Sequence, residues 1–309
     1  MVEDPSAPST RGLVHLKNGR PFFSALAEAL THVPGYAAGD PSILVTQLAG
    51  GSVNRSYSVS SRAGRFVVRL SQAPDAWLAA DRSVEWQLHR LAAEAGIAPP
   101  IVHATDHWLI TRYVPGHLWT EPDFARSERL ARLGDTLCHL HALPPPDDGR
   151  FDIQEVLKGY ASRIGVDEGP LTDYLDEAAA AWRISGAAER APVMLHHDLH
   201  ASNLIDGTDG LVLIDWECAV VSDPLLDVAC ILSYHDSARP YASLILEHTG
   251  LGTVTPRQLA ASVWLFDLHT YLWYRERRLR LSPTDAELEA ERLLAARLPY
   301  TLGDWRRGS

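Results

Sequence analysis

A short polar block two-thirds of the way along this 309-residue chain constrains its fold more than any other feature. Within the stretch 195–205, Asp198 is followed five residues later by Asn203. The apolar run 211–214 is typical of a buried strand, and it ends at Asp215. The chain must therefore fold so that a carboxylate, an amide and a second carboxylate are held by short loops beside one strand.

These three side chains suit the transfer of a phosphoryl group. That reaction needs a group that accepts the proton of a hydroxyl and a metal ion that neutralises phosphate charge. Hard cations such as Mg²⁺ prefer oxygen ligands. We therefore predict that Asp198 is the catalytic base and contacts the substrate hydroxyl, and that Asn203 and Asp215 bind Mg²⁺. An Asp near an Asn is more often a simple turn, so the prediction depends on the whole combination.

The same block resembles the motifs of a known enzyme family. The pattern His-x-Asp-x-x-x-x-Asn at 196–203, followed by Ile-Asp-Trp-Glu at 214–217, is similar to the catalytic and metal motifs of aminoglycoside phosphotransferases and of choline and thiamine kinases. The segment 223–229 is similar to the one that those kinases carry just after the metal carboxylate. The resemblance implies roles for four further residues: loop support by His196 and Asp227, and substrate contact by Trp216 and Glu217.

The resemblance spans roughly residues 42–275 and implies an α+β fold of the protein-kinase-like, two-lobed type. A small N-terminal lobe with an antiparallel sheet would bind ATP, and a large, mainly helical C-terminal lobe would carry the catalytic and substrate sites. We expect four divisions along the chain: a flexible start at 1–12, the nucleotide-binding lobe at 13–110, a hinge at 111–116 and the helical lobe at 117–309.

The N-terminal part contains three short runs rich in β-branched and aromatic residues, at 42–49, 56–61 and 65–70. We predict a three-stranded meander whose first turn supplies the phosphate loop: Gly50, Gly51, Ser52 and Asn54. Small residues in such a turn let backbone N–H groups approach phosphates. Ordinary hairpins use the same glycines, but the pattern Gly-Gly-x-x-Asn-x-x-Tyr resembles the loop of choline and thiamine kinases.

A cation that pairs with the phosphates is expected on the third strand. Arg69 is the candidate, because the only two lysines of the chain lie outside any suitable strand. Arginine binds phosphate as a planar fork, so this choice changes the geometry more than the charge. We predict Glu85, on the following helix, as the partner of Arg69, with Glu94 and Asp81 as alternatives.

The segment 108–114 predicts a strand that stops at Pro-Gly and looks like a kinase hinge. There the backbone of Arg112 and Val114 would bind adenine. The remaining sequence predicts mainly helices, at 127–143, 151–164, 171–190, 225–234, 242–248, 256–280 and 284–298, with a tail from 301 to 309.

The predicted helix 256–280 is dense in aromatic residues. Aromatic faces bind ammonium-like cations for roughly 0.5–2 kcal/mol each. By resemblance to choline kinases, Tyr271, Trp273 and Tyr274 are predicted to contact the substrate. Core packing is the alternative, and it is the commoner use of helical aromatics.

The composition of the chain limits the kinds of molecule that it is expected to bind. A formal net charge of −11 argues against a nucleic-acid groove, which needs clustered Lys and Arg. This charge suits a cationic substrate, although an acidic surface also serves solubility. The three cysteines are widely spaced and predict no disulfide scaffold. No apolar run is long enough to span a membrane, so we expect a cytoplasmic protein; its oligomeric state is left open.

The sequence leaves several alternatives open. The histidines His196, His197 and His200 could belong to a zinc or two-metal hydrolase, although Asn203 and Asp215 would then have no role. A kinase-shaped binding protein without activity is a second alternative. For a kinase, the predicted acceptor is a small cationic alcohol such as choline, ethanolamine or thiamine. Aminoglycosides, which are also cations, are the next candidates.

Overall fold

The computed structural model describes residues 20–48, 54–71, 82–165 and 171–307. Four of the positions named above lie outside the described residues: Gly50, Gly51, Ser52 and Asp81. The predicted flexible start at 1–12 and the last two residues of the predicted tail also lie outside them. All other candidate site residues lie within the described ranges.

One antiparallel sheet organises the N-terminal part. Its strands β1 to β5 are Leu44–Gln47, Asn54–Ser61, Gly64–Ser71, Ile101–Ala104 and Trp108–Arg112. They lie in the order β1-β2-β3-β5-β4, so β3 is the central strand. Helix α1, Arg20–Thr31, packs against β3, and helix α2, Arg82–Glu94, connects β3 to β4.

The alternation of side chains along β3 decides which face of the sheet is buried. Phe66, Val68 and Leu70 are at most 1% exposed and pack with α1 on one face, because every second residue of a strand points the same way. Arg69 therefore points to the opposite face, toward the rest of the chain. The turn between β2 and β3 is closed by Gly64, whose φ of 122° disfavours any side chain.

The second part is mainly helical. Its helices α3 to α9 are Ser127–His141, Ile153–Ile164, Leu171–Ser185, Leu225–Tyr234, Ala242–His248, Pro256–Arg280 and Asp285–Arg307. Two small sheets lie among them: β6 (Gly116–Leu118) pairs with β8 (Leu204–Gly207), which pairs with β9 (Leu211–Leu213), and β7 (Val193–Leu195) pairs with β10 (Val220–Ser222).

The small sheets position the polar block. The segment between β7 and β8 contains Asp198 and Asn203, and the end of β9 is followed directly by Ile214 and Asp215. One apolar core packs α2, α3 and α6 around these strands, and a second joins α4, α5, α8 and α9. Both ends of the polar block are therefore anchored in buried structure.

Helix α8 begins and ends where its sequence signals predicted. The side chain of Thr255 accepts a hydrogen bond from the N–H of Gln258, the N–H of Thr255 donates to Gln258 Oε1, and Pro256 occupies the first turn. Residues 261–268 of this helix are all buried, because neighbouring helices cover it on several sides.

The predicted end of the last helix was wrong. Helix α9 does not stop before a tail at 301 but continues to Arg307. The reason is tertiary: the side chain of Trp305 is buried, at 2% exposure, and Arg257 Nε donates to its carbonyl oxygen at 2.8 Å. The expected hinge at 111–116 also begins inside a strand, since Thr111 and Arg112 still pair with β3.

A helix that crosses a bilayer needs about 20 predominantly apolar residues, and no helix in the described residues meets this requirement.

Candidate active site

A cavity of about 570 Å³ lies between the five-stranded sheet and the loops of the polar block. The sheet side contributes Asn54, Val67, Arg69 and Thr111, and the other side contributes Asp198, Asn203, Asp215 and Glu217. The three residues predicted for the base and the metal therefore face one space, together with the predicted phosphate cation.

Asp198 and Asn203 are bonded directly. The Nδ2 of Asn203 donates to the carbonyl oxygen of Asp198 and to its Oδ2, both at 2.9 Å. His200 adds its Nε2 at 3.3 Å from the same Oδ2. Burial raises the pKa of Asp198, but His200, His196 and the hydrogen bond from Tyr234 together outweigh burial and hold this pKa below its ordinary value. Asp198 is therefore an ionised carboxylate at neutral pH, as a proton acceptor must be.

The backbone around Asp215 is unusual. Asp215 has a φ of 63°, a left-handed conformation that Asp tolerates better than most residues. The preceding N–H of Ile214 donates to the carbonyl oxygen of Asn203 at 2.9 Å. The loop carrying Asn203 and the strand end carrying Asp215 are thereby fastened to each other, which fixes the separation of the two side chains.

Arg69 lies among three carboxylates. Its guanidinium forms an ion pair with Glu85 of α2, contacts Asp215 Oδ1 at 2.6 Å and lies 3.9 Å from Glu217 Oε2. Burial lowers the pKa of Arg69, but the three carboxylates outweigh burial and raise this pKa above its ordinary value. The sequence prediction paired Arg69 with Glu85 and did not foresee the contact with Asp215.

Glu217 directs its carboxylate across the cavity toward Arg69 and the sheet. The Nδ2 of Asn54, at the start of β2, donates to Glu217 Oε2. Burial and the neighbouring charge of Asp215 raise the pKa of Glu217 to about 7, although Arg69 and Asn54 act in the opposite direction. Its observed partners are Arg69 and Asn54, and the substrate contact predicted for Glu217 stays a prediction.

Asp227 braces the loop that carries Asp198. It is fully buried, and its carboxylate accepts the N–H of His197 at 2.8 Å and that of His196 at 3.3 Å. His141 of α3 places its Nε2 3.0 Å from the same carboxylate. Burial raises the pKa of Asp227, but these donors outweigh it and lower the pKa overall.

The neighbouring histidines have packing roles. His196 is fully buried, its Nε2 lies 2.9 Å from the carbonyl oxygen of Ile214, and burial lowers its pKa, so the ring is neutral. The ring of His197 packs edgewise against Phe151 and Phe266. No group of three or more His, Cys, Asp or Glu side chains in the described part of the chain forms a metal site.

Comparison with known proteins identifies the family. The model of the phosphotransferase enzyme family APH matches residues 44–261, well over half of the chain. The chain belongs to this family. It is therefore a kinase, as the motif resemblance implied.

Two thiamine kinases are among the relatives of this kinase. That of Shigella flexneri serotype 5b is 30% identical over 222 residues, which cover 70% of this chain and 74% of the relative. That of Shigella sonnei is 29% identical over 248 residues, which cover 76% and 84% respectively.

Solved structures show the same fold. A choline/ethanolamine kinase family protein from Mesorhizobium loti superposes with a TM-score of 0.73 at 21% identity, covering 92% of the kinase and all of that chain, 100%. The choline kinase LicA from Streptococcus pneumoniae gives a TM-score of 0.73 at 18% identity, covering 91% and 99%. The predicted two-lobed α+β fold is confirmed.

Trp216 is one of the residues that line the cavity of the kinase. Its side chain is 1% exposed, and its Nε1 donates to the carbonyl oxygen of Leu213 at 2.9 Å. The ring of His196 meets it edgewise at 4.9 Å between centroids. These contacts hold the end of β9 and the loop of Asp198 together, and the substrate contact of Trp216 stays a prediction.

The aromatic cation site predicted on α8 stays a prediction. Tyr271, Trp273 and Tyr274 are not among the residues that line the cavity. A guanidinium group lies over one face of each of the first two rings: Arg275 is 5.8 Å from the centroid of Tyr271, and Arg277 is 5.4 Å from that of Trp273. Burial and the charge of Asp198 raise the pKa of the Tyr274 phenol.

The predicted hinge contacts separate into two cases. The N–H of Arg112 donates to the carbonyl oxygen of Pro100 at 2.9 Å, so this backbone donor is already used within the protein. The guanidinium of Arg112 lies over the ring of Phe66. Val114 lines the cavity, and within the described ranges no hydrogen bond engages its N–H. Of the two residues, Val114 is the one whose backbone N–H is available to bind adenine.

Sequence reasoning missed one residue beside Asp198. Tyr234, at the end of α6, places its hydroxyl 3.3 Å from Asp198 Oδ1. The available signal was its spacing from Asp227, seven residues earlier in the same predicted helix, which puts both on one face.

Proposed function

We propose that this kinase uses ATP and Mg²⁺ to phosphorylate the hydroxyl of a small cationic metabolite of the thiamine, choline or ethanolamine type. The observation that carries this proposal is the common cavity that Asp198, Asn203, Asp215 and Arg69 line. A base, two oxygen ligands and a phosphate-binding cation are the parts that phosphoryl transfer requires.

Each residue has a role set by its position. Asp198 takes the proton of the acceptor hydroxyl and orients its oxygen toward the γ-phosphoryl group. Arg69, held by Glu85, binds the phosphates as a fork. The N–H of Val114 donates a hydrogen bond to the adenine of ATP. The adenine ring packs among apolar side chains that line the cavity: Leu48, Val67, Leu109, Ile205 and Ile214.

The donor set suits Mg²⁺. Because the Nδ2 of Asn203 is bonded to Asp198, the other atom of that amide, Oδ1, is directed elsewhere as a free acceptor, and no hydrogen bond from the described residues reaches it. Asp215 adds a carboxylate that is 32% exposed in the cavity. Mg²⁺ is bound by one or two protein oxygens and completes its shell with waters and phosphates, and it neutralises phosphate charge when bound.

Two observations support the acceptor class. The relatives that match most of the chain are thiamine kinases, and thiamine carries a cationic ring and a primary alcohol. The formal net charge of −11 also favours a cationic acceptor. Aminoglycoside phosphotransferases share the fold at a lower TM-score of 0.61, so an aminoglycoside is the comparison substrate.

The test is a coupled assay of ADP release with thiamine, choline, ethanolamine and one aminoglycoside, each with and without a magnesium chelator. Transfer to at least one of the first three, confirmed by mass spectrometry of the phosphorylated alcohol and abolished by the chelator, is the expected result. Transfer to the aminoglycoside alone would reassign the acceptor. Turnover that survives the chelator would refute the metal role.

A further inference from the structure

Residues on one face of α6 contact successive positions of the catalytic loop, which carries Asp198. Asp227, Cys230 and Tyr234 are spaced by three and four residues and therefore lie on one side of the helix. Asp227 accepts two backbone N–H groups ahead of Asp198, and Cys230 Sγ lies 3.2 Å from the N–H of Leu199, just after it. Tyr234 contacts the carboxylate of Asp198 itself. The helix thus holds the loop on both sides of Asp198 and also contacts its side chain.

The two carboxylate oxygens of Asp198 are not equivalent. Oδ2 accepts from Asn203 at 2.9 Å and lies 3.3 Å from His200 Nε2, so the loop itself saturates it. Oδ1 has Tyr234 as its hydrogen-bond donor, at 3.3 Å. Hydrogen bonds from hydroxyl groups to carboxylates are usually about 2.5–2.7 Å long, so this contact is loose. Oδ1 is therefore the oxygen that has capacity for an acceptor hydroxyl.

The ring of Tyr234 is fixed by its neighbours. Phe266, His200 and His235 meet it edgewise, with centroid distances of 5.6, 5.9 and 6.3 Å. Burial and the charge of Asp198 raise the pKa of Tyr234 well above its ordinary value, so the phenol remains a donor. A hydroxyl held in this way can orient a carboxylate without exchanging its proton.

We propose that Tyr234 is a positioning residue, whose hydroxyl directs Oδ1 of Asp198 toward the acceptor alcohol. In the reaction the acceptor O–H bond breaks and its proton goes to Oδ1, while the acceptor oxygen forms a bond to the γ-phosphorus. The bond from this phosphorus to the bridging oxygen breaks, and ADP leaves with the electron pair. Tyr234 keeps its proton throughout. This inference rests on the proposed function.

The test compares Tyr234→Phe with Tyr241→Phe. Both changes remove one phenolic oxygen, but the hydroxyl of Tyr241 donates to the carbonyl oxygen of Ala125 and does not contact Asp198. Thiamine is the acceptor, or the best alcohol of the panel above. We measure kcat, the KM of each substrate, binding of a non-hydrolysable ATP analogue, and Tm.

Loss of a hydrogen bond to a charged group predicts that Tyr234→Phe lowers kcat about ten- to a hundredfold. The KM for ATP, the affinity for the analogue and Tm should equal those of Tyr241→Phe, which should match wild type in kcat.

A kcat for Tyr234→Phe within about threefold of wild type, below the expected loss, would overturn the proposal. A parallel fall in Tm and in analogue affinity would also overturn it, since the hydroxyl would then serve folding. Failure of the proposed function is distinguishable, because wild type itself would then phosphorylate no alcohol, and the inference would fall with it.

Discussion

Arg69 shows how strongly one side chain links the two parts of the kinase. It extends from the central strand of the sheet and reaches Glu85 on α2, Asp215 after β9 and Glu217 beyond it. Its side chain is 9% exposed, so these charges interact away from bulk water. One cation among three carboxylates leaves an excess of negative charge, which a divalent cation at Asp215 would balance.

Replacing Arg69 by Ala should lower the free energy of unfolding by about 3–5 kcal/mol, because it leaves buried carboxylates without their cation. Denaturant unfolding monitored by tryptophan fluorescence measures this loss. The matched control is Arg62→Ala: Arg62 forms an ion pair with Asp40 at 2.8 Å, but its side chain is 77% exposed. The control should unfold like wild type, and equal losses in the two variants would contradict the buried-network argument.

Asp198→Ala should separate chemistry from binding. A positioned acid or base contributes about 10²–10⁴-fold to rate, so kcat should fall at least about a hundredfold. Binding of ATP, followed by titration with a fluorescent analogue, should stay near the wild-type value, because Asp198 lies on the acceptor side of the site. A variant that kept more than about a hundredth of the rate would exclude the assigned role.

The last helix illustrates an element that is stabilised from outside its own sequence. Proline at position 299 removes one helical hydrogen bond and usually ends or kinks a helix. In this kinase the helix continues, because Trp305 packs into the core of α4, α5, α8 and α9. The Nε1 of Trp264 also donates to the carbonyl oxygen of Leu298 at 3.1 Å, next to the proline.

Trp305→Ala should therefore lower the free energy of unfolding by about 3–5 kcal/mol, as for other buried large-to-small changes. Tyr300→Ala is the control on the same helix, since Tyr300 is 78% exposed and should be replaceable with little loss. Thermal unfolding of the two variants measures the difference. Similar Tm values would mean that the end of α9 does not carry the stability assigned to it.

Across the whole molecule, sequence reasoning succeeded where signals were local. The bounds of α6, α7 and α8 were predicted correctly, and the start of α8 is marked within the segment itself by the capping box of Thr255 and by Pro256. The family, the two-lobed fold and the kinase activity followed from motifs that lie within twenty-two residues of one another, 196–217.

What sequence reasoning missed depends on distant partners. Met194 of the short strand β7 pairs with Val221 of β10, and neither segment alone carries a sequence pattern that predicts a strand. The contact of Arg69 with Asp215 joins residues 146 positions apart. Likewise, the aromatic content of α8 does not show that Arg275 and Arg277 of the same helix lie over the rings of Tyr271 and Trp273.

The charge of the whole molecule gives a prediction about salt. With a formal net charge of −11, the kinase attracts a cationic acceptor at low ionic strength, and salt near 0.15 M shortens the Debye length to about 8 Å. The kcat/KM for thiamine should fall several-fold as NaCl rises to that level. The kcat/KM for anionic ATP, measured in the same series, should not fall; parallel decreases would mean that charge attraction is not the cause.

The face of α6 that follows the catalytic loop also limits how this protein can change length during evolution. Inserting or deleting one residue within 227–234 would rotate everything after it by about 100° and separate Tyr234 from its partner. Such insertions and deletions should be tolerated instead in the connection between α3 and α4, because the number of residues there does not set the face of a helix on which a residue lies. A kinase gene in this lineage would thus keep a constant spacing here while its loops drift.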